Sequence, residues 1–159
     1  MYVNEIMTPQ VITCTPDSSL EDIARLMWNN DCGSIPVINK QEKPIGVVTD
    51  RDIAIGAMLN HQPLWEIPAS RIIQEQRICS SNQDDTVEDC LDRMEQNGVR
   101  RCLVTGQDGR LCGIVSMGDA VAFVAGRART KGVPADNVLK LMRTVSAHHP
   151  SPQKPIARV

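Results

Sequence analysis

Aromatic residues are scarce in this chain of 159 residues: Tyr2, Trp28, Trp65 and Phe123 are all it has. With so few stacking platforms, no sustained basic stripe and a net charge of -2, nucleic-acid binding is not expected, and any phosphate recognition must be local. No window approaches the roughly 18 apolar residues of a membrane span, and "MYVNEIMTPQ" lacks a basic stretch followed by an apolar core. A cytoplasmic protein without membrane attachment is the expectation. The six cysteines (14, 32, 79, 90, 102 and 112) include no C-x-x-C pair, so buried free thiols are expected rather than a disulfide framework or a zinc knuckle. Histidine is nearly absent too, with His61 in a linker and His148 and His149 in the tail. No activated nucleophile pattern accompanies the carboxylates, so the chain does not read as an enzyme, and no resident cofactor or metal is required.

What the chain does contain is a duplication at an offset of 67 residues. "GVVTDRDIA", beginning at Gly46, aligns with "GIVSMGDAV", beginning at Gly113. The shared pattern is a glycine, two aliphatics, a hydroxyl residue, two variable positions and an aspartate. Upstream and without a gap, "DSSLEDIARLMWNN" aligns with "DDTVEDCLDRMEQN", pairing Asp17 with Asp84, Asp22 with Asp89 and Met27 with Met94.

Each copy predicts the same elements. A short strand-like run ("VITC", "RICS") precedes an N-cap among Asp17 to Ser19, or Asp84 to Thr86. An amphipathic helix follows, with Leu20, Ile23, Ala24 and Met27, or Val87, Cys90, Leu91 and Met94, at helical spacing. Two apolar runs separated by turn residues read as a hairpin, and the aspartate opens a last helix. The fold class is therefore α+β: two βαββα repeats, over residues 5–62 and 72–128, packed about a pseudo-twofold axis because neither buries both sheet faces alone. A further helix is expected over residues 133–147, started by Pro134 and striped by Val138, Leu141, Met142 and Val145. It packs on its own module, at a dimer interface or against another protein. Residues 150–159, rich in proline and polar groups, are expected to be disordered.

The paired motif suits a nucleoside phosphate. Thr49 and Ser116 end strands, and Asp52 and Asp119 fall in the first turn of the helices that follow, where free N–H groups and the macrodipole favour an anion. The hydroxyl can donate to a phosphate oxygen, while an aspartate accepts from sugar hydroxyls and not from phosphate. Each aspartate is also suited simply to capping its helix. Arg51 can fork onto a phosphate, but its counterpart is Gly118, so the sites are chemically unequal; Asp50 faces Met117 in the alignment and is not part of the shared pattern.

The stretches "TPDSSLEDIARLM", "GSIPVIN" and "GVVTDRD", with "DDTVEDCLDRM", "GVRRCLVT" and "GIVSMGD", resemble a tandem pair of CBS domains, or Bateman module, standing alone over about residues 5 to 128. The resemblance implies adenosine ligands in the cleft between the repeats, with Thr49, Asp52, Ser116 and Asp119 at ribose and phosphate. It allows Arg100 and Arg101 to reach a phosphate held by the first motif. It places adenine between the first strand (Ile12, Thr13, Cys14 and Thr15, or Cys79 to Asn82) and the second (Ile35 and Pro36, or Cys102 and Leu103). The function so implied is a regulatory sensor of AMP, ADP or ATP, with AMP the first choice as ligand and ATP with magnesium next. It would act by rearranging its repeats within a homodimer and against a regulated protein of unknown identity. The alternatives are a scaffold or regulatory subunit with degenerate ligand sites, and a sensor of S-adenosylmethionine or an NAD-type ligand.

Overall fold

The duplication is visible in a computed structural model, which describes residues 1–73, 78–126 and 135–146. In each copy a hydroxyl side chain starts the first long helix. Ser19 Oγ accepts from the Asp22 amide at 3.1 Å to open α1 (Leu20–Asn30), and Thr86 Oγ1 accepts from the Asp89 amide at 3.1 Å to open α4 (Val87–Gln96). Leu20, Ile23 and Met27 face one core; Val87, Cys90, Leu91 and Met94 face the other.

The hairpins are also equivalent. β2 (Ser34–Ile38) pairs antiparallel with β3 (Pro44–Thr49), and β5 (Arg101–Thr105) with β6 (Leu111–Ser116). Ser34 stands opposite Thr49 and Arg101 opposite Ser116, and both hairpins slip register at the same place, after Val37 and after Val104. Each closing strand runs directly into a helix, α2 (Asp50–Asn60) or α5 (Met117–Gly126). The repeats touch at equivalent hairpin tips: the Leu111 amide donates to Glu42 O at 3.0 Å and Arg110 pairs with Glu42 at 3.2 Å.

The first strands differ, for a reason that one residue supplies. In the second copy β4 (Ser80–Asn82) lies parallel to β5, and the Leu103 amide donates to Cys79 O at 2.9 Å. The equivalent of Leu103 is Pro36, which has no N–H to give the Ile12 carbonyl. The expected strand "VITC" is thereby reduced to a single parallel bridge between Cys14 and Val37. In the second copy strand structure begins at Ser80, later than "RICS" suggested.

Each repeat is completed by a segment that precedes the other. The N-terminal stretch crosses to the second repeat: Val3 is buried in that core, the Val3 amide donates to Asp85 O at 2.9 Å, and β1 (Thr8–Pro9) pairs with β6. The segment leading into the second repeat, including α3 (Ala69–Ile73), packs on the first: the Leu20 amide donates to Ile67 O at 2.9 Å, and Ile67, Ala69 and Ile73 lie in that core. This exchange explains the glycine of the shared pattern. A methyl at Gly46 would lie 2.6 Å from Ile73, and one at Gly113 would overlap Met7. Both glycines admit the exchanged segment.

The C-terminal helix α6 (Ala135–Ser146) lies across α4 and α5, with Val138, Leu141 and Val145 in the second core and Met142 at its exposed border. The segment 150–159 lies outside the described residues.

Candidate ligand-binding cleft

Both motifs are held by the same local device. Asp52 Oδ2 accepts from the Thr49 amide at 2.8 Å and from Thr49 Oγ1 at 2.7 Å, while Thr49 Oγ1 accepts from the Asp52 amide at 3.2 Å. Asp119 and Ser116 repeat these bonds at 2.7, 2.6 and 3.1 Å. These are reciprocal helix caps. The capping role weighed for each aspartate is thus present, and it leaves the other carboxylate oxygen with no bond among the described residues. A sugar hydroxyl can donate there without undoing the cap. A phosphate, by contrast, must draw the Thr49 hydroxyl proton away from Asp52 by rotation about the Cβ–Oγ1 bond.

The surroundings of the two caps are unequal. At the first, Asp50 Oδ1 accepts from the Arg51 amide at 2.8 Å, and the Arg51 side chain is exposed. Arg101, from the second repeat, crosses to this end: a methyl on Gly33 would sit 3.1 Å from Asp50 Oδ2 and 3.6 Å from Arg101 Nη2. At the second cap Met117 and Gly118 replace Asp50 and Arg51, and Ser34 stands where Arg101 stands at the first. A guanidinium from the opposite repeat therefore lies near Asp50 at the first site, and no arginine occupies the equivalent position at the second.

Arg100 goes elsewhere. Its Nη2 donates to Val145 O at 3.2 Å, closing the carboxyl end of α6. This arginine is engaged by the C-terminal helix, so of the expected pair only Arg101 is turned to the cleft. The next-door difference follows from strand alternation.

Alternation also sorts the positions assigned to adenine. Ile35 and Cys102 are buried in their own repeats' cores, as is Cys14. Pro36 and Leu103 occupy the opposite strand face, and both are buried. Ile12 is 41% exposed and Thr13 is half-buried, at the open side of the first repeat. Two of the thiols near these positions are pushed up: burial raises Cys14 to about 11, and Cys102 is raised to about 12, first by its hydrogen bond with Cys79. The same bond lowers Cys79 from its ordinary value. Among the described residues no group of His, Cys, Asp or Glu side chains is arranged to hold a metal ion, and no helix is long and apolar enough to cross a membrane.

A family model for the CBS domain matches residues 3–56 and 80–126. The chain belongs to the CBS-domain family. Its two CBS repeats share 33% identity over 117 residues with YhcV, a CBS domain-containing protein of Bacillus subtilis, covering 74% of this chain and 81% of that one. An uncharacterized protein of Methanopyrus kandleri is 32% identical over 117 residues, covering 74% of this chain and 59% of its own length. The chain thus spans less than two thirds of that relative. A solved CBS domain protein of Pyrobaculum aerophilum, complexed with AMP, superposes with a TM-score of 0.69 at 19% identity, covering 82% of this chain and 100% of that one. That likeness establishes the α+β tandem CBS fold.

Sequence reasoning missed two features of the site. One is the Ile12 carbonyl, which has no backbone partner among the described residues and which the proline in "IPVI" signals once the strand pairing is known. The other is the division of Arg100 from Arg101, which needed the position of α6.

Proposed function

We propose that this CBS pair is a regulatory module that binds an adenine nucleotide, AMP first, at the cap of α2, and adjusts the packing of its repeats in response. The observation that carries this reading is the approach of Arg101, from the opposite repeat, to the strand end that bears the Thr49–Asp52 cap. The free oxygen of Asp52 accepts the ribose hydroxyls, and the guanidiniums with the Thr49 hydroxyl take the phosphate. Adenine carries an exocyclic amino donor, and the Ile12 carbonyl, left without a ladder partner by Pro36, is an acceptor for it. The AMP complex of the Pyrobaculum protein supports the ligand class. The Ser116–Asp119 cap is the weaker second site. Nothing in this constellation activates a nucleophile or positions an acid and a base, so the ligand is bound and released unchanged.

Arg101 contributes its charge only when the two repeats are close, so phosphate binding favours that arrangement, and regulation requires such a differential affinity. Titration calorimetry with AMP, ATP and S-adenosylmethionine tests the reading. AMP is expected to bind with a stoichiometry of one tight site, and Asp52→Asn to weaken it tenfold or more while lowering the melting temperature only modestly, through the weakened cap of α2. Absence of heat and of thermal shift at millimolar AMP and ATP refutes it.

A further inference from the structure

The two repeats differ in the chemistry of one layer of side chains. Ile12, Ile23, Leu26 and Ile35 of the first repeat stand at the positions that Cys79, Cys90, Arg93 and Cys102 take in the second. Packing alone needs no thiol there, as the first repeat shows, yet the second gathers three in one core. Cys79 lies one step before the Ser80–Leu103 pair of the parallel ladder, which sets it opposite Cys102, and the Leu103 amide donates to Cys79 O at 2.9 Å. Neighbouring strands run about 4.8 Å apart, inside the Cα separation of about 4.4–6.8 Å that a disulfide spans. Cys102 hydrogen-bonds with both Cys79 and Cys90, and its Sγ lies 3.5 Å from Ser81 Oγ. From α4, Arg93 Nη1 donates to Ser80 O at 3.0 Å, which brings a guanidinium beside the chain at Cys79.

The three thiols are not equivalent. The bond with Cys102 lowers Cys79 from its ordinary value, with burial opposing and the charge of Arg93 assisting. Cys102 is raised first by that same bond, and Cys90 first by its own bond with Cys102. Cys79 therefore ionises most readily of the three. It also keeps 8% of its surface exposed, whereas Cys90 and Cys102 keep none, so an oxidant little larger than water meets Cys79 first. A thiol that ionises readily, a neutral thiol opposite it and a cation beside it are the parts of a dithiol oxidation site.

We propose that Cys79 is a modification site for a small peroxide, with Cys102 as its resolving partner. The Cys79 thiolate attacks one peroxide oxygen, the O–O bond breaks, and the departing hydroxide takes up a proton to leave as water. Cys79 is then a sulfenic acid. The Cys102 sulfur attacks the Cys79 sulfur, the S–O bond breaks, and the hydroxide leaves with the Cys102 proton as a second water. Two thiols have given two electrons to one peroxide and hold a disulfide that ties β4 to β5. A dithiol reductant reverses the change by exchange. None of these steps involves a nucleotide or the cap of α2.

Peptide mapping of the full chain tests this independently of ligand binding. The reduced protein is exposed to hydrogen peroxide without nucleotide, then unfolded, alkylated and digested with trypsin and a protease that cuts after glutamate. Cleavage at Glu88 separates Cys79 from Cys90. The expected product joins residues 78–88 to residues 102–110 of the same chain, two hydrogens lighter than the separate peptides, and dithiothreitol removes it. The wild-type map decides the pairing without any substitution in the core. Cys102→Ser is expected to halt the reaction at the sulfenic acid, so that dimedone labels Cys79, while Cys90→Ala leaves the link in place. Arg93→Leu, which installs the first repeat's own residue, should slow the link at least threefold. Free thiols at Cys79 and Cys102 after the exposed Cys32 has been oxidised overturn the proposal. So does a link from Cys102 to Cys90, or one between two chains. A nucleotide that fails to bind leaves each of these outcomes as it is.

Discussion

Substituting Arg101 with methionine removes a charge from the cleft while keeping an apolar stem of similar reach. Arg101 is half-buried, and its guanidinium lies beside Gly33 and Asp50 at the start of β2 and α2. A unit charge about 4 Å from another is worth about 1 kcal/mol in bulk water and about 4 kcal/mol at an effective dielectric near 20. A half-buried group facing a cleft lies between these limits. We expect a loss of about 2 kcal/mol, or about thirtyfold in Kd. The assay is calorimetry with AMP and, by displacement, with adenosine. AMP should lose the full thirtyfold, while adenosine, which lacks the phosphate, should change by less than about twofold. Asp52→Asn should weaken both ligands together, since ribose is common to them. Equal losses for AMP and adenosine in the Arg101 variant, or no loss for AMP, refute the assignment of Arg101 to phosphate.

Gly46→Ala places a methyl 2.6 Å from Ile73, so the exchanged segment must shift; thermal or urea unfolding should show a destabilisation of about 1–3 kcal/mol, and an unchanged midpoint would refute the close approach. Pro36→Leu installs the second repeat's own residue and restores an N–H opposite the Ile12 carbonyl. Hydrogen exchange should find that amide protected, and AMP affinity should fall severalfold as the ligand competes for the same acceptor; unchanged affinity would detach adenine from Ile12. Among the thiols, Cys32 is exposed and should label with a maleimide within minutes at pH 8. Cys14, buried and raised to about 11, is roughly one part in a thousand thiolate at that pH and should label only after unfolding.

The elements and their order were legible in the sequence because a duplication tests itself: Ser19 and Thr86 cap equivalent helices, and apolar residues hold helical spacing in both copies. The Thr49–Asp52 and Ser116–Asp119 pairs could be located for the same reason, and their bond lengths agree within 0.1 Å. What pattern alone could not separate were neighbours on one strand. Ile35 and Pro36, or Arg100 and Arg101, point to opposite faces, and nothing local says which face meets a core, a helix or the other repeat. The shortening of the first strand was written in Pro36, but it could be read only once Ile12 was known to lie opposite.

The amino-acid sequence by itself determined the order of the repeated elements, the helix caps and the hydroxyl–aspartate pairs: the first because each copy checks the other, the rest because they depend on contacts within a few residues of each other. Tertiary structure decided the exchange of segments that makes Gly46 and Gly113 necessary, the crossing of Arg101 to the first cap, and the seating of α6 on one repeat but not the other. Those outcomes rest on contacts between chain segments tens of residues apart, and two copies with the same local pattern acquire different neighbours only when the whole chain is packed.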